Sequence, residues 1–228
     1  MKKRYIKNMK SLSKDDMAKL NNSKICVVGC GGLGGYIVEM LARIGTGYIT
    51  AIDGDDFDET NLNRQLVSNT ENLGLNKAEE TKKRIQLVNP NITITPIKKM
   101  IDIKNATDLL KNHDIVVDAL DNISSRKIVK SGCSILNIPM VHGAIGGFYG
   151  QVTTIFPEDN SFDYLYPQNN GVEKGIEQEL GNLSFIPPLI ASIQVSEVIK
   201  IILNRGDLLR NKVLFIDALN NNFDTVKF

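Results

Sequence analysis

The sequence predicts an α/β fold: a doubly wound, mostly parallel sheet extended by antiparallel strands toward the C-terminus. Three observations predict it. Short β-rich runs alternate with helical patterns, a glycine-rich turn joins the first run to the first helical pattern, and the last third of the chain drops the alternation. Alternating strands and helices imply parallel pairing, because right-handed crossovers lay the helices over both faces of the sheet.

The elements follow in order. Residues 1–23 are polar and read as an N-terminal arm, with the basic start Met1-Lys2-Lys3-Arg4 solvated. Lys24 to Gly29 is a β-rich run ending in glycine, and Leu33, Ile37, Leu41 and Ile44 then recur at helical spacing. Tyr48 to Asp53 is a second strand ending in an acid. A helix over Lys77 to Val88 leads to a strand from Ile92 to Ile97, where Ile and Thr alternate. Asp114 to Ala119 is an apolar strand, Ser124 to Leu136 a helix and Pro139 to Ala144 another strand. Gln151 to Phe156 is β-branched and follows Gly146-Gly147 and Gly150, which predicts a turn into an antiparallel neighbour. Residues 159–182 are polar and form a long crossover loop, a length that in a compact domain signals function. A helix ending near Leu203 and short strands at Lys212 to Ile216 and Phe223 to Phe228 complete a single domain, 1–228, with no internal repeat.

Composition narrows the function. The chain has 228 residues, 42% hydrophobic and 23% charged, with a formal net charge of +1, so nothing in the charge balance points to nucleic acid. The most membrane-like window, Phe185 to Leu203, holds Pro187, Pro188, Gln194, Glu197 and Lys200 and reads as a buried amphipathic helix, so no membrane partner is expected. No secretory signal is expected in residues 1–24. Cys26, Cys30 and Cys133 cannot pair without leaving one over, which fits a reducing, cytoplasmic setting.

Gly29-Cys30-Gly31-Gly32-Leu33-Gly34 lies between the first strand and the first helix. Glycines let a backbone approach phosphate closely, and a helix N-terminus offers free N–H groups. Asp53 ends the second strand, where a carboxylate can accept bonds from a ribose. Strand, turn, helix, strand and acid in this order predict a Rossmann-like nucleotide site, without saying which nucleotide. An NAD-dependent oxidoreductase would begin in the same way.

The next segment separates these alternatives. Asp55-Asp56-Phe57-Asp58-Glu59-Thr60-Asn61-Leu62-Asn63-Arg64-Gln65 resembles the D-x-D-x-V-x-x-S-N-L-N-R-Q stretch of the ThiF/MoeB/HesA family, the bacterial counterpart of ubiquitin-activating enzymes. Gly74-Leu75-Asn76-Lys77-Ala78 is similar to its G-x-x-K-A segment, and Asp118 to Asn122 with Arg126 resembles its D-x-x-D-N-x-x-x-R. Val141-His142-Gly143-Ala144 and Gly150-Gln151-Val152 match its later glycine-rich strands.

The resemblance implies an adenylyltransferase that uses ATP and Mg²⁺ to activate the C-terminal glycine of a small ubiquitin-like sulfur-carrier protein ending in Gly-Gly. Thiamine or molybdenum-cofactor synthesis would be served, and a homodimer is implied. Arg64 and Lys77 would meet the phosphates, Asp121 would hold Mg²⁺ and Asp53 the ribose. Asn61 and Gln65 would bond to phosphate or order the loop. Lys7 stands where relatives have an arginine that reaches the triphosphate across the dimer, and Arg4 is a substitute for it. Glycines at Gly143-Ala144 and Gly146-Gly147 would leave room for the carrier tail.

Plainer roles compete. Arg64 and Lys77 could be solvated charges, Asp121-Asn122 a helix cap, Asn61 a turn former and His142 a satisfied core histidine. The family often carries two C-x-x-C pairs for structural zinc, whereas this chain reads Ser161-Phe162-Asp163-Tyr164 at the first pair and offers no such cluster, so no zinc is expected. No cysteine lies in residues 159–182, which disfavours a covalent thioester. A peptide or other carboxylate substrate, an NAD-dependent oxidoreductase and a degenerate, non-enzymatic partner domain stay open, although Arg64, Lys77 and Asp121 would have no role in an oxidoreductase.

Overall fold

The computed structural model describes residues 2–167 and 177–228. After a 3-10 helix over Lys3–Lys10 come α1 (Lys14–Asn22), β1 (Lys24–Val28), α2 (Gly32–Ile44), β2 (Tyr48–Ile52), α3 (Lys77–Val88) and β3 (Thr93–Ile97). Next are α4 (Ala106–Leu110), β4 (Ile115–Asp118), α5 (Ile123–Leu136), β5 (Met140–Gly146) and β6 (Tyr149–Ile155). The chain continues through α6 (Ser161–Leu165), α7 (Glu177–Leu180), α8 (Ile186–Leu203), β7 (Lys212–Asp217) and β8 (Asn222–Lys227).

All eight strands join one sheet in the order β3-β2-β1-β4-β5-β6-β7-β8. The first five are parallel, with β1 paired to β2 through Val28↔Ile52 and to β4 through Val28↔Asp118. From β5 onward the pairing is antiparallel. This is the Rossmann-like doubly wound sheet with antiparallel C-terminal strands that the alternation predicts. Its strand order reverses between β1 and β4, and ligands in such sheets bind at the carboxyl ends of the strands there.

The parallel strands are apolar on both faces because helices cover both. One face packs Ile25, Val27 and Val117 against Ile37, Leu41, Ile190 and Val198. The other packs Cys26, Val28 and Val116 against Leu110, Val129, Cys133 and Phe162.

Helix α8 is apolar and long enough to cross a membrane by composition, with mean hydropathy 1.6. The sequence predicts an amphipathic helix. The structure buries half of it as expected, against β5 and β6 and beside α1 and α2, but its apolar residues are not confined to one face. Its polar residues bond inside the fold: Gln194 Nε2 donates to Asp118 O at 2.9 Å, and Glu197 accepts from Thr154 Oγ1 at 2.6 Å.

The expected N-terminal arm is folded. Ser13 caps α1 in a reciprocal box with Asp16, and Tyr5, Met17 and Leu20 form a small core with Leu203. Met17 and Leu20 alone give too short an apolar pattern to announce a helix. Lys2, Lys3 and Arg4 are exposed as expected, although Arg4 bonds to Val88 O and Asn89 Oδ1. Of the expected crossover loop, Ser161–Leu165 and Glu177–Leu180 are helical, while residues 168–176 lie outside the described residues.

Candidate nucleotide-binding site

A cleft of about 320 Å³ opens at the carboxyl ends of β1, β2 and β4. Its floor is the glycine turn. Gly29 has φ +93°, and a Cβ there would stand 2.6 Å from Ala119 O, so this position requires glycine. Gly29 N donates to Ile52 O at 2.8 Å, tying the turn to β2. Gly31 caps α2 without a side chain, and Gly29, Gly31, Gly32 and Leu33 face the cleft. Gly34 does not. A Cβ on Gly34 would lie 1.8 Å from Gly29 O, so this glycine lets α2 pack onto the turn and belongs to packing.

Asp53 follows β2 and lines the cleft. Its Oδ2 accepts from Cys30 N at 2.7 Å and its Oδ1 from Asp55 N at 2.8 Å. Burial raises its pKa above the usual carboxylate value, and the two backbone N–H bonds oppose that shift. The carboxylate therefore braces the glycine turn while keeping lone pairs for a ligand donor.

Arg64, Gln65 and Lys77 converge from the other wall. Lys77 opens α3 behind the cap residue Asn76 and is only 9% exposed, and its Nζ lies 3.4 Å from Asp55 Oδ2. That placement removes the solvated-charge reading for Lys77. Arg64 donates from Nη1 to Thr60 O at 3.0 Å and to Asn63 Oδ1 at 2.9 Å. Gln65 Oε1 is buried without a hydrogen-bond partner among the described residues, an acceptor left over at the cleft wall.

Asn61 stays outside the cleft lining. Its Oδ1 accepts from Asp58 N at 3.1 Å in a capping box, so it orders the loop that carries Arg64. Lys7 is exposed on the 3-10 helix and does not line this cleft either.

Asp121 is exposed at the third wall beside Asn122. Asn122 caps α5 by accepting from Ser125 N at 2.8 Å, so the helix-cap role falls to Asn122 and leaves the Asp121 carboxylate to the cleft. Hard carboxylate oxygens suit Mg²⁺, which keeps several waters and takes one or two protein carboxylates plus phosphate oxygens. Asp121 fits that donor set. Among the described residues no three His, Cys, Asp or Glu side chains cluster as a closed metal cage.

Several lining residues carry no sequence motif. Val28, Ile52, Ile101, Ala119 and Leu120 supply an apolar wall, with Lys99 and Met100 at its lip. Lys99 to Ile101 follow β3, and the rule that parallel sheets bind at strand carboxyl ends could have pointed there. Asn182 and Ile145 close the far end. Gly143 makes no room for a substrate tail, because a Cβ there would meet Gln194 Cδ at 2.4 Å.

Beneath the cleft His142 is fully buried, its Nδ1 2.7 Å from Asp118 Oδ2. Burial lowers its pKa from 6.5, against the opposing pull of Asp118, so the imidazole is neutral in the fold. This is the satisfied core histidine. The unfolded chain binds its proton at higher pH than the fold does, so stability is lost as pH falls below 6.5. Urea midpoints at pH 7.5 and 5.5 should show that loss, with a slope from this group of at most about 1.4 kcal/mol per pH unit. His142→Gln should flatten it.

Comparison with known proteins agrees with this geometry. Residues 3–228 match the ThiF family. A SAMP-activating enzyme E1 of Haloferax volcanii is 33% identical over 223 residues, covering 96% of this chain and 82% of the relative. The molybdopterin-synthase adenylyltransferase of Escherichia coli is 30% identical over 214 residues, covering 93% and 86%. The crystal structure of E. coli MccB superposes with TM-score 0.86 over 99% of this chain and 69% of its own, at 23% identity, a likeness that bears on fold alone. The chain is an adenylyltransferase and belongs to the ThiF family.

Proposed function

We propose that this enzyme uses Mg-ATP to adenylate the C-terminal glycine carboxylate of a small ubiquitin-like sulfur-carrier protein, releasing pyrophosphate. One observation carries the reading: a single cleft at the strand-order reversal gathers the glycine turn, Asp53, Arg64, Lys77 and Asp121. In the reaction a carboxylate oxygen bonds to the α-phosphorus while the bond to pyrophosphate breaks. Charge grows on phosphate oxygens, and preorganised cations stabilise it.

Arg64 forks across phosphate oxygens and Lys77 supplies a compact charge held in place by burial. Asp53 takes the ribose hydroxyls, and Val28, Ile52, Ile101 and Leu120 take the base. Gln65 meets a phosphate-bound water or the incoming acid. Mg²⁺ held by Asp121 would neutralise the triphosphate and favour pyrophosphate departure. A homodimer would bring Lys7 to its partner's triphosphate. Arg4 is already engaged with its own Asn89, which favours Lys7 over it.

All three cysteines are buried and none lines the cleft, so the acyl group passes to a sulfur nucleophile from outside the chain. The names of the relatives favour a molybdopterin-type carrier over a thiamine-type one. A reducing cytoplasm suits both the free thiols and the reaction. A peptide substrate is the second reading, prompted by the structure of MccB with MccA.

Pyrophosphate exchange with candidate carriers tests the choice. Exchange should require the terminal glycine, and deleting it should cost roughly 100-fold through misplacement of the carboxylate. Equal activity without that glycine would sink the carrier reading and move the peptide reading forward.

A further inference from the structure

Asp121 is exposed and, among the described residues, makes one weak contact, Asn122 Nδ2 at 3.4 Å, so something else must fix its direction. The residue before it is held with unusual thoroughness. Leu120 N donates to Asp118 Oδ1 at 3.0 Å. Leu120 O accepts from Arg126 twice, from Nη2 at 2.7 Å and from Nε at 3.1 Å. Both polar groups of one residue are thus pinned, each by a nearly or fully buried charged side chain: Arg126 is 2% exposed and Asp118 0%.

These two side chains are joined behind the turn. Asp118 Oδ2 accepts from His142 Nδ1 at 2.7 Å, and His142 Nε2 accepts from the Tyr166 hydroxyl at 3.1 Å. That hydroxyl accepts in turn from Arg126 Nη1 at 3.1 Å and from Gln151 Nε2 at 3.0 Å. The bonds form a closed ring that starts at the Leu120 N–H and returns to the Leu120 carbonyl. A neutral His142 with its proton on Nδ1 satisfies every link.

A ring of this kind is an expensive way to hold an ordinary turn. Buried polar networks rigidify what they touch only when every member is satisfied, and a broken member is costly. Here the rigidified element is the turn between β4 and α5, which carries Asp121 into the cleft.

We propose that Arg126 and Tyr166 are positioning residues for Asp121, fixing its carboxylate toward the divalent cation through the peptide of Leu120. The inference rests on the adenylation reading with Asp121 as the cation ligand. Groups that orient a metal-binding carboxylate are worth roughly 10- to 100-fold in metal affinity or activity when removed.

The test uses the full chain carrying Tyr166→Phe, which deletes only the hydroxyl, and Arg126→Lys, which keeps the charge but loses the two-pronged grip. ATP is titrated calorimetrically with EDTA and again with Mg²⁺, and the Mg²⁺ dependence of pyrophosphate exchange is recorded. Tyr166→Phe, whose hydroxyl lies outside the cleft lining, should bind metal-free ATP within about threefold of wild type. The Mg²⁺ needed for half-maximal exchange should rise roughly 10-fold or more, with kcat lower, KM for ATP little changed and partial recovery at high Mg²⁺.

A merely structural role would lower the melting temperature and leave the Mg²⁺ dependence alone. Folded variants with wild-type Mg²⁺ dependence overturn the proposal. A wild-type protein whose ATP binding gains nothing from Mg²⁺ overturns the assignment of Asp121 instead, so the two failures are told apart. Should Tyr166→Phe fail to fold, Arg126→Lys decides by the same readout.

Discussion

Lys77→Ala should lower pyrophosphate exchange by roughly 100- to 1000-fold, the usual cost of removing one preorganised group from developing charge. Lys77 is 9% exposed, set at the start of α3, and its one ion pair among the described residues is a 3.4 Å contact with exposed Asp55. Such a weak pair contributes little to folding, so the unfolding free energy should change by less than about 1 kcal/mol. The expected result is therefore a folded protein that has lost its chemistry. Stopped exchange assays at saturating ATP, with urea unfolding beside them, measure both. A rate within threefold of wild type would remove Lys77 from the phosphates and leave it as a lining charge.

Gly34→Ala should act on the other link of the chain, from packing to fold. The new Cβ would be placed 1.8 Å from Gly29 O and 2.7 Å from Gly29 C, both backbone atoms that cannot swing aside. Overpacking ordinarily costs 1–3 kcal/mol, and a backbone clash this close should exceed about 3 kcal/mol. Gly32→Ala is the control. Its Cβ would meet Pro187 Cγ at 3.7 Å, an ordinary contact, so stability should hold while the methyl crowds the cleft. Urea midpoints and ATP titrations of the two variants should separate a fold glycine from a ligand glycine. Equal midpoints would mean that α2 shifts more cheaply than its packing suggests.

That contrast shows what can be read from the residues alone. The glycine run announces a turn, but which glycine meets ligand and which meets backbone depends on how the turn closes: Gly34 is shut off by Gly29 O within the turn itself, and Gly29 by Ala119 O of the β4–α5 turn. Ala119 is far along the chain from Gly29, and its approach is a tertiary fact. The strands were legible because parallel strands buried on both faces read as apolar β-branched runs, as at Ile25 to Val28 and Ile115 to Val117. Helix α3 was legible to the residue because Asn76 caps it and Asn89 follows it. Helix α1 was not, since its buried face is Asp16, Met17 and Leu20.

Arg64, Lys77 and Asp121 were legible through a resemblance, and the structure brings all three to one cleft. Asn61 sits in the same motif yet orders the loop, because a motif records position in the chain and not direction in space. Lys99 to Ile101 and Tyr166, which closes the ring, have no local signature. They exist because β3 ends beside β2 and because α6 comes back over β5 and β6.

The three buried thiols also give this protein a gauge of its own opening. Cys26 lies in the central strand, Cys30 just beyond it and Cys133 on α5, and burial holds every one above its ordinary pKa, with Cys133 pushed up to about 12. Folded molecules therefore present almost no thiolate to an alkylating reagent, whereas opened ones present three ordinary thiols. Labelling of Cys30 reports loosening of the glycine turn and the α2 face of the sheet, and labelling of Cys26 and Cys133, which share the other face, reports lifting of the α5 layer. A bound ligand that tightens the glycine turn would slow Cys30 more than Cys26 and Cys133, so the order of modification maps where occupancy is felt.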